Sequence, residues 1–242
     1  MTLLLLSGTA EARDLATQLA DEDIAAVASL AGATRAPTMP LIPTRIGGFG
    51  GEAGFRAYLK DAQITAVLDA THPFAHRISH RTAAICAEDG IPHCQLLRPQ
   101  WRPEAKDHWT MIAQEAEAAQ HIAPSDVVFL ATGRQTLEKF ADLQARYIYC
   151  RQIDAPDGPF PFSNGEYVIG RPPFSVEDEI TLFQKLSVNW LVVKNAGGAT
   201  SFSKLEAARR IGLRVLMIAR PPQPDAPRVE TVDAAMAWVR GL

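Results

Sequence analysis

The chain has 242 residues, of which 47% are apolar and 21% charged, and its formal net charge is −3 at pH 7. This composition provides enough apolar side chains for a sizeable core and excludes global disorder. The small negative net charge argues against a general nucleic-acid binder, which would carry a strong basic surplus. An acidic ligand must therefore be held by a local group of cations, because the field of the whole protein does not attract it.

The first part of the chain indicates the cellular compartment in which we expect the protein. It shows no basic segment followed by an apolar segment and a cleavage site, so we expect no secretory signal. The apolar run Leu3–Leu6 is too short to span a membrane, which requires about 20 residues. We expect a cytoplasmic protein that does not bind membranes.

Residues that could bind a metal or form disulfides are few. Three cysteines, Cys86, Cys94 and Cys150, are scattered and form no C-x-x-C motif, so we expect buried free thiols in a reducing compartment. His76 and His80 stand four residues apart on a predicted helix and could both face a metal. No third ligand follows at a recognisable spacing, and we therefore predict no metal site.

The chain begins with a strand, a glycine turn and a helix. The run Leu3–Leu6 is typical of a strand buried on both faces of a parallel sheet, and the turn Ser7-Gly8-Thr9 leads into a helical pattern. This geometry binds phosphate through the free N–H groups of the helix N-terminus. It predicts phosphate contacts at Gly8, Thr9 and Ala10. The spacing is not a complete G-x-G-x-x-G motif, so an ordinary βα turn stays the alternative.

Apolar β-type runs alternate with helical patterns along the whole chain, which predicts an α/β fold with parallel strands. The segment Arg98-Pro99-Gln100-Trp101-Arg102-Pro103 breaks this alternation with two prolines and a tryptophan. We therefore predict two domains, 1–102 and 103–242. In the second, a strand runs into Ala131-Thr132-Gly133-Arg134 and then a helix, which parallels the turn at Gly8.

The second predicted strand, 24–30, indicates which dinucleotide the first turn would bind. It ends about 20 residues after Gly8, where an NAD-binding unit has an acid for the ribose hydroxyl. This chain has Ser29, followed by Thr34 and Arg35, and no acid. If the turn binds a dinucleotide, the pattern favours NADP, with these three residues at the 2′-phosphate. Otherwise they are plain loop residues.

Segment 45–51, Arg-Ile-Gly-Gly-Phe-Gly-Gly, has four glycines in five positions. Such a run loses much chain entropy on folding. It predicts either close approach of the backbone to a ligand or a set of turns with positive φ. Phe49 in its middle favours a packed loop over a flexible one.

A polar segment with His72 follows the predicted strand that ends at Asp69. The carboxyl end of a parallel strand is where α/β proteins bind ligands. Between residues 72 and 102 there are four arginines and four histidines but only two acids. This asymmetry predicts a patch for a polycarboxylate or a phosphate, with a solvated helix face as the alternative. The candidate substrate contacts are Arg77, Arg81 and Arg98.

Lys194 ends an apolar strand that begins near Trp190, and Asn195 and two glycines follow it. A lysine in such a place is costly without an anionic or carbonyl partner. It is a candidate for binding or catalysis, and a salt-bridged structural lysine is the alternative.

Taken together, these motifs resemble the precorrin-6A reductase family of cobalamin biosynthesis. The pieces that carry the resemblance are Gly8-Thr9-Ala10-Glu11-Ala12-Arg13, Arg45-Ile46-Gly47-Gly48-Phe49-Gly50-Gly51, Asp69-Ala70-Thr71-His72-Pro73-Phe74-Ala75, Ala131-Thr132-Gly133-Arg134, Gly158-Pro159-Phe160, Lys194-Asn195-Ala196-Gly197-Gly198 and Met217-Ile218-Ala219-Arg220-Pro221. They span nearly the whole chain in the order of the family. Two departures are Ser7, where the family often has a second glycine, and Ala196, where a serine is common.

The resemblance implies a cytoplasmic NADPH-dependent reductase that converts precorrin-6A to precorrin-6B. It implies two Rossmann-like domains with parallel sheets and the cofactor in a cleft between them. The implied partners are the tetrapyrrole substrate and other enzymes of the corrin pathway. The residues expected to border the cofactor, besides those at the first turn and the 2′-phosphate, are Gly48, Gly133, Arg134, Asn195 and Gly198.

The reaction requires no dedicated acid, because a ring nitrogen of the substrate could be protonated. If a residue donates a proton, His72 and Lys194 are the candidates. Three other functions stay open: a cobalt-precorrin-6A reductase, a tetrapyrrole methyltransferase that uses S-adenosylmethionine, and a nucleotide sensor without activity. A methyltransferase would typically carry an acid where this chain has Ser29.

Overall fold

A computed structural model describes residues 1–32, 39–156 and 158–242. By internal packing, the chain forms two compact units: unit 1 comprises Met1–Pro99 with Pro221–Leu242, and unit 2 comprises Gln100–Arg220. The division into domains 1–102 and 103–242 stays a prediction, and it did not anticipate that the end of the chain packs with unit 1. In the described part of the chain, no helix has both the length and the apolar character needed to cross a membrane.

The alternation of strands and helices agrees with the predicted α/β fold. The strands are β1 Leu3–Leu6, β2 Ala26–Leu30, β3 Thr44–Ile46, β4 Ala66–Asp69, β5 His93–Leu96, β6 His108–Ile112, β7 Val127–Leu130, β8 Tyr147–Gln152, β9 Gly165–Ile169, β10 Trp190–Lys194, β11 Arg214–Ile218 and β12 Arg228–Val229. The α-helices are α1 Ala10–Asp21, α2 Gly51–Asp61, α3 His76–Glu88, α4 Val176–Lys185, α5 Ser203–Ile211 and α6 Val232–Arg240. Two 3-10 helices, Glu115–Gln120 and Arg134–Phe140, complete the described elements.

Unit 1 is built on a parallel six-stranded sheet in the order β12-β5-β4-β1-β2-β3. The leucines of β1 are buried on both faces: Leu3 and Leu5 pack in one core cluster with α1 and α6, and Leu4 and Leu6 pack in another with α2 and α3. The expected buried parallel strand is therefore confirmed. From β1 the chain adds β2 and β3 on one side of the sheet. From β4 it adds β5 and β12 on the other side. The neighbours β1 and β4 thus form a topological switch point, where α/β sheets bind ligands.

Unit 2 repeats this plan with a parallel six-stranded sheet in the order β6-β11-β10-β7-β8-β9. Phe129, Leu191 and Val215 face α4 and α5 in its core. The two 3-10 helices lie on the opposite face of the sheet. The switch point of unit 2 is between β7 and β10, so its ligand crevice is expected beyond Leu130 and Lys194.

Helix boundaries follow local capping chemistry. Ser175 and Asp178 form a capping box at the start of α4, which satisfies two backbone N–H groups that would otherwise lack partners. Gly212 ends α5 with φ of 68°, the left-handed conformation that favours glycine at a helix C-terminus.

The predicted helix after Gly133 is a 3-10 helix instead, and Glu115–Gln120 form a second 3-10 helix. Both are short connectors between strands, and short connectors favour the tighter 3-10 geometry. The short strands β3 and β12 were not predicted.

The three cysteines are buried and free, as expected. Burial raises the pKa of Cys86 and Cys150 to about 12 and that of Cys94 to about 11. These thiols are therefore protonated and unreactive at neutral pH.

Candidate functional site

The turn after β1 is held by the residue that caps α1. The hydroxyl of Thr9 accepts a hydrogen bond from the N–H of Ala12 (3.1 Å) and donates one to the carbonyl oxygen of Ala70 (2.9 Å). This joins the start of α1 to the segment that follows β4, across the switch point of unit 1. The helix therefore presents its N-terminus, beginning at Ala10, to the crevice.

The same turn has room for a ligand. Gly8 has φ of 150°, and a Cβ added there would meet no atom within 4 Å. Ser7 is buried, and its hydroxyl has no hydrogen-bond partner among the described residues. Open space, an unpartnered hydroxyl and a helix N-terminus together fit a phosphate group.

Glu11, in the first turn of α1, would repel a phosphate if it were unpaired. Its carboxylate is 2.6 Å from the guanidinium of Arg98, which follows β5, and both side chains are largely buried. The pairing neutralises the acid beside the turn. The predicted substrate contact at Arg98 stays a prediction, and the structure shows that this guanidinium binds Glu11.

Arg45 lies beside Ser29 because β2 and β3 pair in register at these two residues. Its guanidinium donates to the hydroxyl of Ser29 (2.8 Å) and to the carbonyl oxygens of Gly47 (2.8 Å) and Gly48 (3.0 Å). A cation therefore stands at the end of β2, where a dinucleotide ribose would lie. The sequence prediction placed Thr34 and Arg35 there, and both lie outside the described residues.

The glycine-rich loop is packed, as Phe49 predicted. The ring of Phe49 lies 4.8 Å from that of Phe55 and 5.3 Å from that of Tyr58, and the guanidinium of Arg45 lies 4.0 Å from its centroid. A Cβ at Gly54 would be 1.8 Å from the carbonyl oxygen of Phe49. The loop therefore closes tightly onto α2 and holds Arg45 in place.

The segment after β4 fixes His72. The Oδ1 atom of the buried Asp69 accepts hydrogen bonds from the backbone N–H (3.0 Å) and the hydroxyl (2.7 Å) of Thr71. The Nδ1 atom of His72 accepts one from the N–H of Phe74 (3.2 Å). An accepting Nδ1 carries no proton, so in the neutral ring the proton is assigned to Nε2. His72 can therefore donate from Nε2.

The helix after His72 carries the predicted cationic patch. Arg77 and Arg81 line an open depression of about 470 Å³ together with His76. The Nε atom of Arg81 is buried and has no hydrogen-bond partner in the described ranges. Nε2 of His80 is 3.0 Å from the carbonyl oxygen of Pro222. Among the described residues, no three metal-binding side chains come together.

In unit 2, Lys194 extends from the end of β10 towards the turn after β7. Its ammonium group is 3.4 Å from the carbonyl oxygen of Thr132, 3.4 Å from the hydroxyl of Thr136 and 3.7 Å from a carboxylate oxygen of Glu115. Burial lowers the pKa of Lys194, and the buried Glu115 opposes this shift. Glu115 was not identified from the sequence as a partner of Lys194, because nothing in the residues around Glu115 indicates which distant strand it contacts.

Two of the residues predicted to contact the cofactor in unit 2, Asn195 and Gly198, form hydrogen bonds with Trp101. The side-chain amide of Asn195 accepts from the N–H of Trp101 (2.9 Å) and donates to its carbonyl oxygen (3.0 Å). The indole N–H of Trp101 donates to the carbonyl oxygen of Gly198 (2.8 Å). Asn195 and Gly198 thus anchor the segment that begins unit 2. Their contact with a cofactor stays a prediction.

Gly133 and Arg134 follow β7 at the switch point of unit 2. Gly133 has φ of 76°, and a Cβ there would meet no atom within 4 Å. Arg134 is exposed at the start of the second 3-10 helix. The turn is open, like the one at Gly8, but it leads into a 3-10 helix instead of an α-helix.

A buried ion pair lies at the carboxyl end of β8 and was not predicted. The guanidinium of Arg151 binds both carboxylate oxygens of Glu179 (2.6 and 2.8 Å), with 11% and 0% of the side chains exposed. Lys204, on α5, is close enough for both charges to affect its pKa, which burial lowers to about 8.

The predicted site residues therefore collect at two sheet edges. Those at the carboxyl edge in unit 1 are Gly8, Thr9, Ala10, Ser29, Gly48 and His72. Those at the carboxyl edge in unit 2 are Gly133, Arg134, Lys194, Asn195 and Gly198. Each set surrounds a switch point, which is the arrangement of a ligand-binding crevice.

Comparison with known proteins agrees with this architecture. The chain is 44% identical to the precorrin-6A reductase of Rhodococcus erythropolis, over 99% of this chain and 98% of that protein. It is 41% identical to that of Rhodobacter capsulatus, over 98% and 95%. A solved structure of a CobK precorrin-6A reductase superposes with a TM-score of 0.94 at 41% identity, and covers 100% of this chain and 96% of that one.

The cobalt-precorrin-6A reductase of Priestia megaterium is 29% identical over 90% of each chain. The family model described as precorrin-6x reductase CbiJ/CobK matches residues 2–240. That match spans both units and includes every motif discussed above. The chain therefore belongs to the precorrin-6x reductase CbiJ/CobK family of oxidoreductases.

Proposed function

We propose that this chain reduces one double bond of precorrin-6A to give precorrin-6B, in cobalamin biosynthesis, with NADPH as the reductant. The observation that carries the proposal is the full-length similarity, at 41–44% identity, to relatives named precorrin-6A reductase. Relatives named cobalt-precorrin-6A reductase are 25–29% identical. This difference favours the metal-free substrate.

The turn after β1 is the proposed site for the cofactor pyrophosphate. The N–H groups at Gly8, Thr9 and Ala10 would bind it at the N-terminus of α1, as helix N-termini bind phosphates elsewhere. Bound there, NADPH would supply the hydride, and the protein contributes alignment and charge.

Ser29 and Arg45 are the proposed contacts of the 2′-phosphate. A cation and a hydroxyl at the end of β2, where an NAD enzyme has an acid, are what a 2′-phosphate requires. Arg45 offers a guanidinium, which binds phosphate oxygens through charge-assisted hydrogen bonds. Thr34 and Arg35 stay candidates for the same group.

His72 is the proposed proton donor, acting through Nε2. The hydrogen bond from the N–H of Phe74 to Nδ1 orients the ring. To give a proton from Nε2, the ring must first take up a proton at Nδ1, which releases this hydrogen bond. Lys194 is less suited to donate, because Glu115 and the Thr132 carbonyl oxygen already surround its ammonium group. We propose that Lys194 binds an anionic group of the substrate.

Arg77 and Arg81 are the proposed cations for other carboxylates of the macrocycle, since both line the open depression on unit 1. A cytoplasmic location and contacts with other enzymes of the corrin pathway stay predictions.

The test is a reduction assay with the purified full-length chain, followed at the nicotinamide absorbance band. We expect oxidation of NADPH on addition of precorrin-6A, slower oxidation with cobalt-precorrin-6A, and a higher KM for NADH. Oxidation only with the cobalt compound would reassign the substrate. NADPH binding without oxidation by either compound would leave the nucleotide sensor, and binding of S-adenosylmethionine instead would favour the methyltransferase.

A further inference from the structure

Three polar residues lie at or just beyond the carboxyl ends of β7, β8 and β10 in unit 2. Leu130 of β7 is paired with Cys150 of β8 on one side and with Val192 of β10 on the other. Two residues further along each chain segment come Thr132, Gln152 and Lys194. Strand β7 ends at Leu130, so Thr132 lies in the turn just beyond it, and the ammonium group of Lys194 is 3.4 Å from the carbonyl oxygen of Thr132.

The side chains of Gln152 and Lys194 project from the same face of the sheet. Side chains alternate along a strand, and Arg151 faces α4, where it binds Glu179, so Gln152 faces the other way. Lys194 contacts Glu115 and Thr136, which belong to the two 3-10 helices on that opposite face. The amide and the ammonium group thus approach the turn at Thr132 from its two sides.

The unsatisfied amide of Gln152 indicates a ligand. It is 6% exposed, yet neither its amide nitrogen nor its amide oxygen has a hydrogen-bond partner in the part of the chain that the structure describes. The buried hydroxyl of Thr132 has none there either. An unsatisfied buried polar group costs free energy, and native proteins keep such groups where a ligand or an ordered water completes them.

The charge of this site selects an anion. Glu115 lies 3.4 Å from the ammonium of Lys139 and 3.7 Å from that of Lys194. Glu115 is thus shared between two ammonium groups. The amide N–H₂ of Gln152 and the hydroxyl of Thr132 add donors, and a carboxylate accepts hydrogen bonds from all three kinds of group.

We infer that Gln152, Thr132 and Lys194 form a binding site for one carboxylate of the tetrapyrrole substrate. This inference rests on the proposed function, and it assigns Gln152 a role in substrate affinity. Thr132 donates from its hydroxyl, Gln152 from its amide and Lys194 from its ammonium group.

The variant Gln152→Met tests this assignment, because methionine keeps the length of the side chain and removes both polar atoms. We expect the Kd of precorrin-6A, measured by calorimetry without NADPH, and its KM to rise about tenfold, as for loss of a hydrogen bond to a charged group. The Tm of the free enzyme should stay the same or rise, since an unsatisfied polar group is removed. Gln184→Met, on the exposed face of α4, is the matched control.

Gln152→Glu keeps the shape and adds a negative charge, so it should weaken precorrin-6A binding more than Gln152→Met does. Unchanged Kd and KM for precorrin-6A in both variants would overturn the inference, and so would a rise in the KM of NADPH alone. The wild-type chain is assayed in parallel. If it does not reduce precorrin-6A, the proposed function fails, which is a distinct result from an unaltered Gln152 variant of an active enzyme.

Discussion

The guanidinium of Arg45 donates a hydrogen bond of 2.8 Å to the hydroxyl of Ser29, which stands opposite it on the neighbouring strand. This places a cation at the carboxyl end of β2, where Rossmann-type sheets bind the adenosine ribose. The pair places a guanidinium and a hydroxyl where the 2′-phosphate of the proposed cofactor would lie.

Replacing Arg45 tests this preference. We expect Arg45→Ala to raise the KM of NADPH about 10- to 100-fold, because a charge-assisted hydrogen bond contributes about 1.5–3 kcal/mol. The KM of NADH should change little, since NADH has no 2′-phosphate. Equal loss for both cofactors would mean that Arg45 only holds the carbonyl oxygens of the glycine loop.

The turn at Gly8 is tested with a matched pair of glycines. Gly8 (φ 150°) and Gly90 (φ 66°) both have positive φ and open space at the Cβ position. Alanine should therefore destabilise the fold at either position, by about 1–3 kcal/mol at Gly8 and about 1–2 kcal/mol at Gly90. Only Gly8→Ala should also weaken NADPH binding in calorimetry, because its Cβ points into the proposed phosphate site. If the two variants bind NADPH equally well, the phosphate does not lie at this turn.

The role of His72 is tested by His72→Asn. Asparagine keeps an acceptor for the N–H of Phe74 and removes the Nε2 donor, so the turn should persist. If Nε2 donates the proton, kcat should fall about 100-fold or more while the Kd of NADPH stays unchanged. His121→Asn, on an exposed position of unit 2, is the control. A normal kcat in His72→Asn would show that the substrate supplies its own proton.

The ion pair of Arg151 and Glu179 makes a prediction about stability. Glu179→Gln should lower the free energy of unfolding by about 3–5 kcal/mol, because it leaves the buried guanidinium without its counter-charge. Glu177→Gln, in an exposed pair with Arg210, should cost less than about 1 kcal/mol. Urea unfolding of both variants measures the difference. Similar losses would contradict the burial of the Arg151 pair.

The fold was largely accessible from the sequence because its signals are local. The apolar run Leu3–Leu6, the glycine turn and the helix start at Ala10 are contiguous, and they predicted the first strand, turn and helix of unit 1.

The contacts that were missed depend on strand pairing between distant segments. Arg45 reaches Ser29 only because β3, a strand of three residues, pairs with β2. Gln152 and Lys194 reach the same level of the sheet because β8 and β10 both pair with β7. No spacing in the sequence encodes these neighbours. The contact of Asn195 with Trp101 was likewise not predicted, since the two residues are 94 positions apart.

The most direct test of the proposed cofactor site is a crystal structure of this chain, determined from crystals soaked with NADP⁺. We expect the pyrophosphate to lie against the N–H groups of Gly8, Thr9 and Ala10 and the 2′-phosphate to contact Ser29 and Arg45. Density for the pyrophosphate at the Gly133-Arg134 turn of unit 2 would contradict it.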